Sequence, residues 1–264
     1  MMQTSFMQLL FHEMNRAKKF YLILCAGVLL SQLFHISTEV YHFIEYGRVA
    51  GGEGITYISL SMLLHRNGGY HLIVVITAML LLGYAILMWA REWLFQGKFI
   101  YRLMMLPTNR LAIAYAKIVA VLLMIFGILS LQAVILWGIN AILPQILPHW
   151  VRYEEGVPAL YPILPLKLSE FVMIYTVGTG FLVGIFNVVI FLCSSRAMGW
   201  LRRIAVLVLY GLLSYNVLLM FSVISGQLVL TSQEHFIYIG LCAVIWLVGH
   251  LAVMHYFIKR RLSI

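Results

Sequence analysis

The chain has 264 residues, of which 63% are hydrophobic and 10% are charged; its formal net charge is +9 and its mean hydropathy is +0.96. Soluble domains carry about 25% charged residues, so this composition excludes an ordinary water-soluble protein. The apolar runs are continuous rather than alternating, which argues against an outer-membrane barrel. A helical membrane protein remains, and its basic charge favours contact with anionic lipid headgroups rather than nucleic acid.

Six apolar stretches are long enough to cross the hydrocarbon core, which takes about 20 residues of helix. We therefore predict an all-α polytopic membrane protein with one transmembrane domain over residues 1–264. The amino-terminal stretch shows no signal-peptide cleavage site, so the first apolar stretch is expected to be retained. The predicted spans are 20–36, 72–90, 111–143, 170–193, 204–224 and 237–258.

The distribution of basic residues predicts the orientation of these spans. Fourteen of the 18 Lys and Arg residues fall on one side of the predicted spans and four on the other. Because cytoplasmic loops are enriched in Lys and Arg, the basic side is predicted to be the cytoplasm. The expected location is the cell membrane, with both termini cytoplasmic.

The segments between the spans have distinct compositions. Residues 5–19 mix apolar side chains with a cationic end, which predicts an interfacial helix on the inner leaflet. An outside segment is expected from about Ser37 to His71, and its apolar part, 55–65, is too short to cross. Five of the six prolines fall in 144–169, which predicts an irregular outer loop because proline breaks helices.

The segment between the second and third predicted spans, 91–110, reads REWLFQGKFIYRLMMLPTNR. On a helical wheel Arg91, Lys98 and Arg102 share one face, so the segment is predicted to form an amphipathic helix at the inner surface. Pro107 then interrupts it, and either of the next two residues, Thr108 or Asn109, can cap the third span. An ordinary positive-inside loop explains the same basic residues.

The order R-E, then L-x-x-L-P-x-x-R, then A-K from Arg91 to Lys117 resembles the first cytoplasmic loop of type-2 ABC exporter permeases. In that family the loop is a coupling helix that docks on a separate ATPase subunit. The family's outer element usually lies between its fifth and sixth spans, whereas the proline-rich stretch here follows the third. The resemblance assigns the ATPase contact to Arg91, Glu92, Gly97, Lys98, Arg102, Leu103, Leu106, Pro107 and Arg110.

The resemblance implies a permease subunit that exports an amphipathic or hydrophobic cargo, such as a peptide, drug or lipid. It implies a second permease copy or paralogue, and ATP and Mg bound by the partner ATPase. The chain has no phosphate-binding loop of its own, because Gly97-Lys98 is followed by phenylalanine and lacks the upstream glycine. No catalytic constellation, metal site or cofactor is predicted in this chain, so it is expected not to be an enzyme.

Polar residues inside the spans allow two interpretations. They line a substrate path, or they join helices through hydrogen bonds. The glycines at 178, 180 and 184 favour close helix packing, and Lys117 is predicted to snorkel towards the inner lipid phosphates. The path candidates are Gln132, Asn140, Asn187 and Asn216.

Two other functions remain open from the sequence. One is a non-transporting membrane sensor that binds a ligand through its outer loops. The other is a haem-binding membrane subunit, for which His250 and His255 of the last predicted span are the candidate ligands. They are five residues apart and so do not share a helix face, which argues against one metal or haem held by both.

Overall fold

The computed structural model describes residues 6–49, 56–65, 68–94, 110–148, 151–153, 168–194, 199–227 and 232–261. Almost all of them are helical. The helices are α1 Phe6–Val49, α2 Leu60–His65, α3 Gly69–Leu94, α4 Arg110–Ile146, α5 Leu168–Ser194, α6 Trp200–Gln227 and α7 Ser232–Tyr256, and a π-helical turn, Phe257–Arg261, follows α7. Two short strands are described, β1 Thr56–Ile58 and β2 Val151–Tyr153.

Five of these helices are long and apolar enough to cross a membrane, judged by length and composition. The helix α6, which contains the predicted span 204–224, does not meet this criterion over the described residues. Large apolar side chains face outwards, including Ile23 at 73% and Trp137 at 75% exposure, as expected where lipid is the solvent. The helical, polytopic character predicted from the sequence is therefore confirmed at this level. The suitable stretches are Phe6–Tyr46, Gly69–Arg91, Leu111–Ile146, Phe171–Leu192 and Ile237–Lys259.

The helix α1 departs most from the sequence prediction. An interfacial helix over 5–19, a span over 20–36 and an outside segment from Ser37 to His71 were expected, whereas one helix of 44 residues, Phe6–Val49, runs through the first two and into the third. At 1.5 Å per residue it is about 66 Å long, more than the roughly 40–45 Å of a whole bilayer. Ile36 and Phe43, about two helical turns apart, are both buried, so packing continues beyond the predicted span 20–36.

Within the compact unit of residues 14–81 and 123–165, α1 and α4 run side by side in the same direction. Tyr21 of α1 lies against Gly127 of α4, Ile36 shares a buried cluster with Leu136, and Phe43 shares another with Leu143. Two helices that are joined by one crossing helix are expected to be parallel, because each crossing reverses the direction of the chain.

Residues 14–81 and 123–165 form one compact unit. Within it, α2 packs its buried leucines against the carboxyl-terminal parts of α1 and α4, and β1 pairs in parallel with β2. The stretch 55–65, predicted to be too short to cross, thus supplies a strand and a helix. The two strands have only three residues each, and the described chain remains almost entirely helical, in agreement with the predicted all-α class. Parallel strands pair across a long connection, so no local pattern indicated them.

The proline-rich stretch also begins differently from the prediction. The third span was expected to end at 143, but α4 continues through Pro144 to Ile146. Proline removes only its own backbone donor, and so close to a helix end this costs one hydrogen bond. The predicted irregular loop otherwise falls largely on 154–167, outside the described residues.

Residues 1–13, 82–122 and 166–264 form the other compact unit. In it α5 and α7 run parallel, and α6 runs antiparallel to α7. Contacts between α5 and α7 advance in step, whereas those between α6 and α7 advance in opposite directions. The α5–α7 pairs are Gly180 with Trp246, Gly184 with His250 and Phe191 with Phe257, and the α6–α7 pairs are Tyr210 with His250 and Ser214 with Trp246.

We predict that Leu64→Ala destabilises the unit formed by 14–81 and 123–165. Leu64 is fully buried in a cluster that includes Ile36 of α1 and Leu136 of α4, and truncation of such a leucine costs about 2–5 kcal/mol. Thermal unfolding in detergent should show a lower midpoint. Met62→Ala is the control, because Met62 lies on the same helix and is 47% exposed. Equal losses for both variants would contradict this packing.

Candidate functional site: a buried ion pair flanking the basic segment

The structure describes only the two ends of the basic segment 91–110. The helix α3 ends at Leu94, and α4 begins at Arg110, directly after the predicted cap positions Thr108 and Asn109. Arg91 and Glu92 therefore lie in the last turns of α3. The other predicted contacts, Gly97, Lys98, Arg102, Leu103, Leu106 and Pro107, lie outside the described residues, as do the side chains of Glu92 and Arg110.

A buried ion pair joins the amino-terminal parts of α1 and α4. The Lys117 side chain is completely buried, and its Nζ donates a hydrogen bond of 2.9 Å to Oε1 of Glu13, which is also buried. The prediction that Lys117 snorkels to lipid phosphates is therefore wrong. A long cationic side chain extends towards water or phosphate only when no acid lies nearer, and the first turns of α1 supply one here.

An aromatic side chain of α3 completes this cluster. The Lys117 Nζ lies 5.6 Å from the centroid of the Trp89 ring, within the range of a cation–π interaction. Trp89 in turn packs against Phe186 of α5, with ring centroids 5.6 Å apart. One lysine thus holds α1, α3 and α4 together, and Trp89 extends the contact to α5.

The cluster has polar atoms whose hydrogen bonds the described residues do not complete. Glu13 Oε2, Trp89 Nε1 and two nitrogens of the Arg91 guanidinium, Nε and Nη2, are buried without a hydrogen-bond partner among the described residues. Buried polar atoms are normally paired. Within the described part of the chain, these four atoms therefore mark the helix ends next to the basic segment as incompletely paired.

The ion pair makes the contact between α1 and α4 costly to disrupt. Removal of one partner from a buried pair costs about 3–5 kcal/mol, because the other charge is left uncompensated in a low dielectric. Glu13 on α1, Trp89 on α3 and Lys117 on α4 are thus in contact close to both described ends of the basic segment.

A second polar cluster joins α5, α6 and α7 around His250. The His250 Nδ1 is hydrogen-bonded to the Tyr210 hydroxyl, and its Nε2 lies 3.3 Å from Ser214 Oγ. The Asn187 Nδ2 donates to Tyr210 Oη at 3.1 Å and to the His250 backbone carbonyl at 2.9 Å. Trp246 Nε1 donates to Ser214 Oγ at 3.3 Å. Three helices are thereby connected by side-chain hydrogen bonds.

The hydrogen bonds of His250 argue against the haem-binding alternative. Both ring nitrogens of His250 have a hydroxyl partner, so neither is directed at an open position. His255 is exposed on the same helix. Among the described residues, no three His, Cys, Asp or Glu side chains come together as metal ligands.

Two glycines of α5 allow α7 to approach closely. A Cβ added at Gly180 would overlap the Trp246 ring, and one added at Gly184 would lie 3.3 Å from the His250 ring. At Gly178 such an atom would meet nothing within 4 Å. The expectation of close packing is therefore confirmed at Gly180 and Gly184, and Gly178 takes no part in it.

The four candidates for a substrate path occupy separate environments. Asn187 joins the His250 cluster, while Asn140 accepts a hydrogen bond from the Tyr153 hydroxyl. Asn216 is exposed and donates to the Leu212 carbonyl of its own helix at 2.7 Å. Gln132 is buried on α4. Asn187 fits the alternative interpretation, in which polar side chains join helices.

Sequence reasoning missed several residues of these clusters. Glu13 was assigned to an interfacial helix, and Trp89, Tyr210 and Ser214 were not singled out. An acidic residue in the first turns of one helix and a lysine in the first turns of a parallel helix can indicate an ion pair. This pattern can be used only when it is known which helices pack together. Hydroxyl partners of a buried histidine likewise require knowledge of which helices are neighbours.

Comparison with protein-family models, with curated proteins and with solved structures finds no match to this chain. The function therefore has to be argued from the residues and their geometry.

We predict that Lys117→Met lowers stability by about 3–5 kcal/mol, because it leaves the Glu13 carboxylate buried without its partner. The double variant Glu13→Gln/Lys117→Met should recover most of this loss. Thermal unfolding of the single and double variants in detergent gives the coupling between the two positions. Strictly additive losses would show that the two side chains do not act as a pair.

We predict that Gly180→Ala destabilises the packing of α5 on α7, whereas Gly178→Ala does not. The added methyl at 180 displaces the Trp246 ring, and such overpacking costs about 1–3 kcal/mol. At 178 the methyl has open space, and alanine favours a helix by up to about 1 kcal/mol. A lower thermal midpoint only for Gly180→Ala is the expected result. Unchanged stability of that variant would argue against the close approach.

Proposed function

We propose that this chain is the membrane-spanning permease subunit of an ATP-driven exporter, which uses a separate ATPase subunit. The observation that carries the proposal is the Glu13–Lys117 ion pair with Trp89 beside it. It connects three helices next to both ends of the basic segment 91–110, which resembles the coupling helix of type-2 ABC exporter permeases. A docking segment transmits movement only if its flanks are firmly attached to the spans.

The directions of the helices support six crossings with both termini on one side. The helices α1 and α4 are parallel, and so are α5 and α7, with α6 antiparallel to α7. In the set α1, α3 and α4 and in the set α5, α6 and α7, the first and third helices are parallel. This is the direction expected when each helix crosses the membrane once. With the positive-inside bias, the first turns of α1 and the basic segment lie on the cytoplasmic side.

In this proposal the chemistry occurs only in the partner. The partner ATPase binds ATP and Mg, and nucleotide binding favours one of two arrangements of a permease dimer by contacting the basic segment differently in each. Arg91 and its neighbours on 91–110 receive this contact, because basic side chains suit an acidic partner surface. The spans then rearrange at the dimer interface and open a path for cargo.

The cargo class follows from what the helices present. Their exposed faces are large and apolar, and the described polar side chains within α5–α7 are largely engaged with one another. An amphipathic or hydrophobic cargo, such as a peptide, drug or lipid, fits these faces better than a small polar solute does.

One observation favours a second candidate function, a membrane sensor without transport activity. The unit of 14–81 and 123–165 includes a packed cluster of α2, β1 and β2, so the segment predicted to be outside is folded and offers a defined surface. Co-purification separates the two functions. A permease should bring down a nucleotide-binding subunit, and a sensor should not.

We predict that charge reversal at Arg102 and Arg110, combined with Pro107→Ala, abolishes stimulation of the partner's ATPase activity while membrane insertion is retained. The reversal removes the attraction to an acidic docking surface, where each such contact contributes about 1.5–3 kcal/mol. Arg202→Glu is the matched control, because Arg202 is an exposed arginine at the start of α6. Unchanged stimulation in the combined variant would falsify the coupling assignment.

A further inference from the structure

A lateral groove runs between α1 and α3 within the unit of 14–81 and 123–165. Its cavity volume is about 480 Å³, inside the roughly 300–1,000 Å³ range of ligand pockets. Ile23, Gly27 and Ser31 contribute to the α1 wall, and Ile76, Thr77 and Leu80 contribute to the α3 wall. Neither the proposed coupling nor the His250 cluster uses this groove.

The interior of the groove is chemically apolar. Its two hydroxyl side chains both bond to their own helices: Ser31 Oγ donates to the Val28 carbonyl at 3.1 Å, and Thr77 Oγ1 donates to the Ile73 carbonyl at 2.7 Å. Hydroxyls engaged in this way have no proton left to donate to a ligand. The groove therefore suits a hydrocarbon chain and does not suit a polar solute.

The dimensions of the groove match one leaflet of a bilayer. From Phe20 to Ser31 α1 rises about 16 Å at 1.5 Å per residue. Half of a hydrocarbon core of about 30 Å is about 15 Å. The side chains of Ile23, Ile76 and Leu80 are exposed at the rim, so the groove is open towards the surrounding lipid.

The amino-terminal end of the groove is basic. Lys19 is exposed and lies one helical turn before Ile23 and two before Gly27, so these three residues share one face of α1. Arg16 precedes Phe20, another lining residue, by the same spacing. The side chains of a helix lean towards its amino terminus, which places the Lys19 ammonium beyond the end of the apolar wall.

We propose that this groove binds an anionic phospholipid of the inner leaflet, with one acyl chain along α1 and α3 and its phosphate at Lys19. The apolar interior of the groove would hold the acyl chain, and its basic end would bind the anionic headgroup. Anionic lipids are concentrated in the cytoplasmic leaflet, which agrees with the orientation given by the positive-inside bias. The lipid site depends on that orientation and not on an ATPase partner.

The groove is tested with variants of Gly27, because a side chain there enters open space and clashes with nothing within 4 Å. Native mass spectrometry of the purified full chain in detergent measures retention of added phosphatidylglycerol and of phosphatidylcholine with the same acyl chains. We expect wild type and Gly27→Ala to retain phosphatidylglycerol. Gly27→Phe should lose it, since the ring occupies the space of the acyl chain.

The headgroup contact is tested with a pair of charge reversals on adjacent residues. Lys19→Glu should reduce the preference for phosphatidylglycerol over phosphatidylcholine by at least about fivefold, the contribution of one lysine near an anionic surface. Lys18→Glu changes the net charge equally but lies about 100° around the helix, away from the groove. It should leave the preference close to that of wild type.

Three outcomes would overturn the proposal. Equal phosphatidylglycerol retention by Gly27→Phe and wild type would show that the acyl chain lies elsewhere. Equal effects of Lys18→Glu and Lys19→Glu would show that the lipid preference comes from general surface charge and not from a contact at Lys19. A change in the monomer-to-dimer ratio of Gly27→Phe, with lipid retention unaltered, would assign the groove to a second copy of the chain. Thermal unfolding of each variant confirms that it is folded.

Discussion

The contact between Lys117 and Glu13 is the interaction on which the rest of this structure depends. It places two opposite charges where the apolar helices leave no solvent, so each charge needs the other. The pair aligns the first turns of α1 and α4, and the contact of Lys117 with Trp89 adds the last turns of α3. In the other compact unit α1 and α4 also run in the same direction, as far as the cluster that contains Phe43 and Leu143.

The His250 cluster joins helices by a different physical means. Its hydrogen bonds connect neutral side chains, and Gly180 and Gly184 bring the backbones close enough for those bonds to form. Small residues and interhelical hydrogen bonds are the usual means of helix association where the solvent is lipid. In each of these clusters the buried polar side chains connect helices. For the export function proposed above, a path is therefore better sought at the exposed helix surfaces than along the four polar residues suggested by the sequence.

The sequence predicted the apolar helices well because each contains a window of hydrocarbon-compatible residues. The helices α3 and α5 extend only one to four residues beyond their predicted windows at each end. Prediction from the sequence failed where an element is stabilised by residues that are distant along the chain. The continuation of α1 past Ser37 depends on packing against α2 and α4, and β1 depends on a strand some 90 residues later. The Lys117 prediction failed for the same reason, since a single helix gives no indication of the acid on its neighbour.

The central claim is that the basic segment contacts an ATPase subunit on the cytoplasmic side and passes its movement to the helices held by the ion pair. Photo-crosslinking tests the contact most directly, with a crosslinking amino acid at Lys98 and, for comparison, at the exposed Trp137 of α4. The account predicts an adduct with a nucleotide-binding subunit from position 98, changed in yield by ATP, and none from position 137. An adduct from neither position, or only lipid captured at 98, would contradict it.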